Sequence, residues 1–550
     1  MKIADVRAVA NAIVPLVCFI AFFVMSHPVS AEVQFLIDAS ATGHRISPYI
    51  YGCNFHVLGP DENPASQRFG GNRLSGYNWE TNASNAGSDW HHMSDGYLSN
   101  SLEPAWALRE FHETSLNMGV SHTLLTLQAA GYVAADRKGT VKESEVAPSS
   151  RWREVKFRKG EPFSLEPDIR DGYVYMDELV NFLVTKYGDA STATGVKAYS
   201  VDNEPALWPH THPRIHPEKT TCAEIIQKTV ELASAVKDID PHAEIFGPAL
   251  YGYGAFDSFQ DAPDWAQLKL ESGYDWFIDY YLDEMRKASE AAGRRLLDVL
   301  DLHWYPEARG FSRIVFDKGA TTSRDINARL QAPRSLWDLT YIEDSWISQW
   351  ASPSREIPGY GRTRTRAIAL LPRVLASINK YFPGTKLAIT EFTYGADDHF
   401  SGGIAMADVL GIFGKYGLYA SYYWPLTDKV DYVAAAYRIY RNYDGNKSTF
   451  GDVSLNATTS DVAKTSVYAA LSESDPGRVH VIAINKNEEP MTASRFTLAS
   501  DRAIAGVEVW AFDSESPVIK ALPSPDQVDD DGFEYTLPPY SVCHFVIHLK

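Results

Sequence analysis

Eight short apolar runs, spread over residues 49–424 and separated by helix-like stretches, constrain this chain more than any other feature. They are YIYGCNF (49–55), QRFGG (67–71), HTLLTLQ (122–128), VKAYSVDN (196–203), AEIFGPA (243–249), LLDVLDLHWY (296–305), KLAITEF (386–392) and LYASYYW (418–424). Strands that are apolar almost throughout, rather than at alternate residues, suit a parallel sheet covered on both faces. Two of the intervening helices are legible. DELVNFLVTKYG repeats Leu179, Phe182, Leu183 and Tyr187 and stops at Gly188, while TCAEIIQKTVELASAVK opens with Thr221 three residues before Glu224, the spacing of a capping box. Eight such alternations predict an α/β fold, a (β/α)8 TIM barrel over 46–430, with loops enlarged beyond the roughly 250 residues such barrels need. A doubly wound open sheet is the alternative, but no G-x-G-x-x-G follows the first run.

After about residue 430 the texture changes. RVHVIAINKN, VEVWAFDSES, FEYTLPP and SVCHFVIHL are strand-like, bounded by Asn, Asp, Ser and Pro, and no long helix pattern intervenes. This predicts an all-β sandwich. EVQFLIDAS (32–40) has the same character, so the second domain is read as 32–45 plus 431–550, built from both sides of the barrel.

With 45% hydrophobic and 22% charged residues the chain can bury sizeable cores. Its net charge of −19 leaves no basic patch for nucleic acid or an anionic membrane surface. Residues 1–31 read as a signal peptide: Lys2 and Arg7 precede AVANAIVPLVCFIAFFVM, and SHPVSA supplies a small-residue cleavage site ending at Ala31. An uncleaved anchor is the alternative. Cleavage near Ala31 implies an exported protein, secreted or periplasmic, with no membrane attachment afterwards. Cys53, Cys222 and Cys543 then remain, too scattered for a disulfide framework or a metal site, and are read as buried thiols.

In a barrel of this kind the chemistry sits at the C-terminal ends of the strands. Glu204 follows the fourth run and Glu391 ends the seventh. A retaining glycosidase needs two such carboxylates about 5–5.5 Å apart, one a nucleophile and the other an acid and then a base. No G-x-S-x-G elbow offers a nucleophilic serine. His210, His212 and His216 lie close together, but HTHPRIHP is broken by proline and lacks H-E-x-x-H, so they are read as a structured loop beside the site. Trp79, Trp90, Trp208, Trp304, Trp337, Trp346, Trp350 and Trp424, with Tyr305, all fall on the same predicted face. Such a set reads as a platform for sugar rings, with Asn72, Asn78 and Asn203 available for hydroxyls.

Taken together, RFGGNRLSGYNWETNASNAGSDWHHMSD (68–95), AGYVAAD (130–136), YSVDNEPALWPHTHPRIHP (199–217), LDVLDLHWYPE (297–307), QAPRSLWD (331–338), AITEF (388–392) and RIYRNYDG (438–445) resemble glycoside hydrolase family 44. The resemblance runs from about residue 33 to the end. It implies a barrel plus a β-sandwich and retaining cleavage of β-1,4-glucan such as cellulose and xyloglucan. It implies Glu204 as acid/base, Glu391 as nucleophile and Asn203 as the partner of the sugar 2-hydroxyl. Arg68, Asn72, Trp90, Tyr305, Trp346, Trp350 and Trp424 complete the expected substrate-binding set. No cofactor is required for catalysis. Members of the family can carry a structural calcium, and no Asp/Glu cluster here fixes its place. The expected partner is a β-1,4-linked polysaccharide, bound by a monomer. The rival readings are an exo-acting glycosidase, a xylanase or mannanase on the same barrel, and a polysaccharide-binding protein without activity.

Overall fold

The computed structural model describes residues 33–40, 43–316, 321–350, 354–357, 361–364 and 366–550. The signal-peptide reading of 1–31 lies outside them. Each of the eight apolar runs supplies one strand: β1 (Gly52–Asn54), β2 (Ser66–Phe69), β3 (His122–Leu127), β4 (Ala198–Val201), β5 (Glu244–Leu250), β6 (Val299–Trp304), β7 (Lys386–Phe392) and β8 (Ala420–Tyr423). They pair in chain order, all parallel, and Tyr422 of β8 returns to Gly52 of β1 to close the barrel. The first run yields the shortest strand. Pro48 starts a 3-10 turn over Pro48–Tyr51, capped by Ser47, and only the residues after it extend. Of the two legible helices, Cys222–Ile239 is capped by Thr221, whose hydroxyl accepts from the Glu224 amide at 3.0 Å. Met176–Tyr187 ends at Gly188 with φ 88°.

The barrel interior is layered. Leu124, Ala198, Phe246, Val299, Ala388, Ala420 and Tyr422 form an apolar cluster of their own. Two residues further along their strands, Thr126, Ser200, Asp301 and Thr390 turn the next layer polar. Asp301 accepts there from Ser200 Oγ at 3.1 Å and Thr390 Oγ1 at 2.5 Å. This polar floor lies directly under the barrel mouth.

The second domain is a sandwich of antiparallel character. Strand Val33–Asp38 buries Val33, Phe35 and Ile37 and lies between strands Val453–Thr459, antiparallel, and Met491–Ala499, parallel. Val453–Thr459 serves both layers, since Val453–Leu455 pairs with strand Thr465–Ser472 and Asn456–Thr459 with Val33–Asp38. Between the layers Phe496 packs against Phe35, Phe533 and Phe545, with ring centroids 4.6–4.9 Å apart. The outer face of one layer packs onto the helices Phe400–Lys415 and Asp431–Arg441 through Tyr468, Ile482, Ile484, Phe512 and Val542. The second of these corrects the reading of 431–550 as strands alone, since a helix comes before the first sandwich strand of that segment at Val453. A buried ion pair crosses that contact. Lys486 Nζ lies 2.6 Å from Asp408, whose other oxygen accepts from Tyr468 OH. The cysteines Cys53, Cys222 and Cys543 are buried free thiols.

Candidate active site

The mouth of the barrel assembles around two strand ends. Past Val201 of β4, Asp202 and Glu204 both take left-handed backbone, with φ 57° and 45°, before Pro205 opens a 3-10 turn. Left-handed backbone strains a residue with a side chain and is typical of sites where the surroundings over-determine a conformation. The surroundings are visible. Asp202, fully buried, accepts from the amides of Ala129, Ala130 and Asn203 and from Ser75 Oγ, and Glu204 N donates to Ala249 O at 3.1 Å. On β7 a register irregularity skips Thr390, so that His303 of β6 stands opposite Glu391. Bulges of this kind re-aim side chains beside active sites.

Glu204 and Glu391 thus meet at His303: one carboxylate oxygen from each and a ring nitrogen of His303 all lie within 4.8 Å of one another. His303 Nδ1 is 2.8 Å from Glu204 Oε1 and 3.5 Å from Glu391 Oε2. Glu391 also accepts from Arg68 Nη1 at 2.8 Å and from Tyr305 OH at 2.8 Å. The two carboxyls are driven apart. Burial raises Glu204, and the charge of Glu391 adds to the rise against the opposing pull of His303. Burial works on Glu391 as well, but the His303 and Arg68 charges and the hydrogen bonds from Arg68 and Tyr305 hold it below the usual carboxylate range. His303 is raised despite its burial, because both glutamates face it. One acid poised to give a proton beside one held as an anion is the division of labour that carboxylate pairs use.

A cleft of about 480 Å³ opens over this pair, lined among others by Asn72, Asn203, Tyr305, Trp346 and Trp424. It continues on one side into a recess of about 810 Å³ through shared Gly71, Asn72, Asp89 and Trp424, where Phe55, Trp90 and Tyr97 join the wall. It also meets a cavity of about 480 Å³ through Phe316 and Leu426. The GG of RFGGN is explained here. A Cβ on Gly70 would stand 2.3 Å from Arg68 Cζ, and Gly71, at φ 90°, would drive one into the Trp424 ring at 2.5 Å.

Several expectations need correcting. Arg68 does not face the cleft. Its guanidinium is fully buried beneath the floor, engaged by Glu391, by Asn203 and by Asn54 Oδ1 at 2.9 Å. Trp79 and Trp208 are buried core residues rather than a sugar platform, and Trp208 Nε1 donates to the Asn203 carbonyl at 3.1 Å, while Trp304, also buried, reaches the wall of the cleft. Trp346 lines the cleft, whereas Trp350, four residues on, is 79% exposed and is not among the residues lining these three cavities. His210, His212 and His216 keep to the loop expected of them and need no correction: His216 pairs with Glu224 and His212 is buried against Thr211. The reading from sequence missed His303, Asp89, Tyr251 and Arg313. Only His303 left a signal, a titratable residue two positions after Asp301 in an otherwise apolar strand. Among the described residues, Glu204, His303 and Glu391 are the one close group of three carboxylate or imidazole ligands. It does not suit calcium, which takes oxygen ligands, because an imidazole sits at its centre and Arg68 already neutralises Glu391.

A parallel barrel carrying two unequal carboxylates this close together at its carboxyl-terminal mouth is the arrangement of a glycoside hydrolase. Comparison with known proteins narrows the class. The model of glycoside hydrolase family 44 matches residues 83–308. Endoglucanase A of Paenibacillus lautus is 51% identical over 527 residues, covering 94% of this chain and 73% of that protein. The structure of Cel44A, a family 44 endoglucanase of Clostridium thermocellum, superposes with a TM-score of 0.88 at 51% identity, over 94% of this chain and 100% of that one. The Paenibacillus polymyxa xyloglucanase of the same family, solved with xyloglucan, gives 0.88 at 48% identity, over 94% and 99%. The chain belongs to glycoside hydrolase family 44.

Proposed function

We propose that this chain is a retaining endo-β-1,4-glucanase acting on cellulose-type glucans and xyloglucan, with Glu391 as nucleophile and Glu204 as acid and then base. The observation that carries the mechanism is the closeness of the pair, one oxygen of each carboxylate lying within 4.8 Å of the other. A retaining pair needs about 5–5.5 Å, whereas an inverting pair stands about 6.5–9.5 Å apart to admit water between. Glu391, held ionised, attacks the anomeric carbon as the glycosidic C–O bond breaks and the Glu204 proton passes to the leaving oxygen. Glycosylation removes the charge of Glu391, and with it the repulsion that raises Glu204. Glu204, now an anion, takes a proton from water, whose oxygen displaces the sugar from Glu391. Asn203 N–H donates to the 2-hydroxyl of the sugar under attack. Side chains and water carry every step.

The cleft shares wall residues with two further cavities, and such an extended, open site supports internal cutting. The endoglucanase and xyloglucanase activities of the relatives support the choice of polymer. Action as a monomer is part of this proposal. Export with cleavage near Ala31 belongs to the same proposal, since such polymers lie outside cells. Among the described residues no helix is long and apolar enough to cross a membrane.

Glu391→Gln is the direct test. Turnover of carboxymethylcellulose is expected to fall by on the order of 10⁴-fold or more, while calorimetric binding of cellotetraose persists. Near-normal turnover in that variant would remove Glu391 from the mechanism. On the wild type, viscosity is expected to collapse well before reducing ends accumulate. Proportional change of the two would favour attack from chain ends.

A further inference from the structure

A line of hydrogen bonds runs from the nucleophile to a carboxylate at the rim of the cleft. Arg68 donates through Nη1 to Glu391 at 2.8 Å and through Nη2 to Asn203 Oδ1 at 2.9 Å. Asn203 Nδ2 donates to Asn72 Oδ1 at 3.0 Å, and Asn72 Nδ2 donates to the two oxygens of Asp89 at 3.1 and 3.3 Å. The polarity of this line is not free. A guanidinium only donates and an ionised carboxylate only accepts. With Arg68 at one end and Asp89 at the other, each amide satisfies both its neighbours in one orientation alone. Turning Asn203 over would set its NH2 against the guanidinium. Turning Asn72 over would set its oxygen against the carboxylate. Asn203, which lines the cleft, is therefore left with the second N–H of its amide, a donor, as the group to offer a substrate.

Asp89 is built into its place. It lies on the 3-10 turn Gly87–Trp90, and Gly87 N donates to Asn85 Oδ1 at 2.9 Å, while Asn85 Nδ2 donates to His92 O and Ser94 Oγ. Gly87 abuts the segment that follows Glu204 so tightly that a Cβ there would stand 2.2 Å from Thr211 O. The nearby Arg73 is engaged by Asp95 at 2.6 Å and Ser84 at 3.0 Å, and none of the described ion pairs includes Asp89.

We propose that Asp89 is a positioning residue for the reaction: it holds Asn72 with its oxygen toward Asn203, and so, with Arg68 fixing Asn203 from the other side, keeps the Asn203 amide aimed to donate to the sugar 2-hydroxyl as the transition state forms. The proposal rests on the retaining reading above, in which Asn203 meets that hydroxyl.

The test is a cycle between enzyme and substrate, using 4-nitrophenyl β-cellobioside and its analogue deoxygenated at position 2 of the sugar that Glu391 attacks. The kcat ratio of the two substrates is compared between wild type, Asn203→Ala, Asp89→Ala and Asp89→Asn. Asp89→Ala is expected to lower kcat on the parent substrate by about ten- to a hundredfold. On the 2-deoxy analogue it should change kcat by less than about threefold, because the hydroxyl whose donor is misplaced is missing. The ratio should then approach that of Asn203→Ala. Asp89→Asn can still accept from Asn72 through its amide oxygen and is expected to keep more of the wild-type ratio. A ratio taken on one preparation does not depend on how much of the variant is folded. Equal losses on both substrates would overturn the proposal and make Asp89 a direct sugar contact or a scaffold residue. A wild-type ratio in Asp89→Ala would overturn it as well. If Asn203→Ala itself keeps the wild-type ratio, the reading of Asn203 fails, and the proposal falls with it.

Discussion

Tyr305 and His303 divide the carboxylate pair between them, the phenol on Glu391 and the imidazole closest to Glu204. A hydrogen bond to the charged form of an acid lowers its pKa, so losing one raises it. Tyr305→Phe is expected to shift the acid limb of the kcat/KM profile to higher pH and to lower activity at the optimum by about threefold to thirtyfold. A full pH–rate profile checks both; an acid limb that stays put would place the phenol outside the ionisation of Glu391. At this scale the sequence was readable where position alone decides. Glu204 and Glu391 stand out because each is a carboxylate arriving where an apolar run stops at the barrel mouth. It was unreadable where depth decides. Arg68 looks like a sugar ligand until its guanidinium is seen folded over Gly70 beneath the floor. Trp79 and Trp208 sit in the sequence much as Trp90, Trp346 and Trp424 do, yet the first two are core. Nothing local separates an indole that roofs a cleft from one that fills the wall behind it.

Helix Phe400–Lys415 shows the same limit for elements. A barrel helix normally keeps a polar face for solvent, yet Ser401–Gly414 are buried all round because the sandwich covers the outer side. The run FSGGIAMADVLGIFGK carries that message in its lack of a polar stripe, though not which partner covers it. Gly411 marks the closest approach, where a Cβ would lie 2.2–2.4 Å from the Tyr468 ring. Alanine would improve helix propensity by about 1 kcal/mol, but overpacking a rigid contact costs about 1–3 kcal/mol. The second effect should win, so Gly411→Ala is expected to lower the thermal midpoint. A raised midpoint in calorimetry would mean that the domain contact yields freely. Strand existence was legible in all eight barrel runs, since length, apolarity and spacing are local. The irregularity that advances Glu391 past Thr390 was not, because it is set by the neighbouring strand.

In the molecule as a whole, the joint between barrel and sandwich holds two buried imidazoles. His544 Nδ1 donates to Ile439 O at 3.0 Å, which leaves its Nε2 to accept from His480 Nδ1 at 3.0 Å. That arrangement has room for a single proton between the two rings. Burial, with Arg478 nearby, holds His480 down to about 4, and burial with His480 beside it holds His544 well below its ordinary value. A group whose folded pKa is depressed lends stability that is present above its unfolded pKa and is lost as pH falls toward the folded one. Denaturant midpoints are therefore expected to drop between about pH 6.5 and pH 4, at about 1.4 kcal/mol for each pKa unit of separation. His480→Asn should flatten that slope; an unchanged slope would assign the acid sensitivity elsewhere. The strand Val33–Asp38 has a different consequence, one of timing. Phe35 lies beside Thr459 and Phe496, so this strand is synthesised a whole barrel ahead of both its partners. At about 5–20 residues per second that delay is on the order of a minute. Until those partners exist the strand cannot take its place, so the sandwich is expected to close only after its last strands are made, although its first piece precedes the barrel.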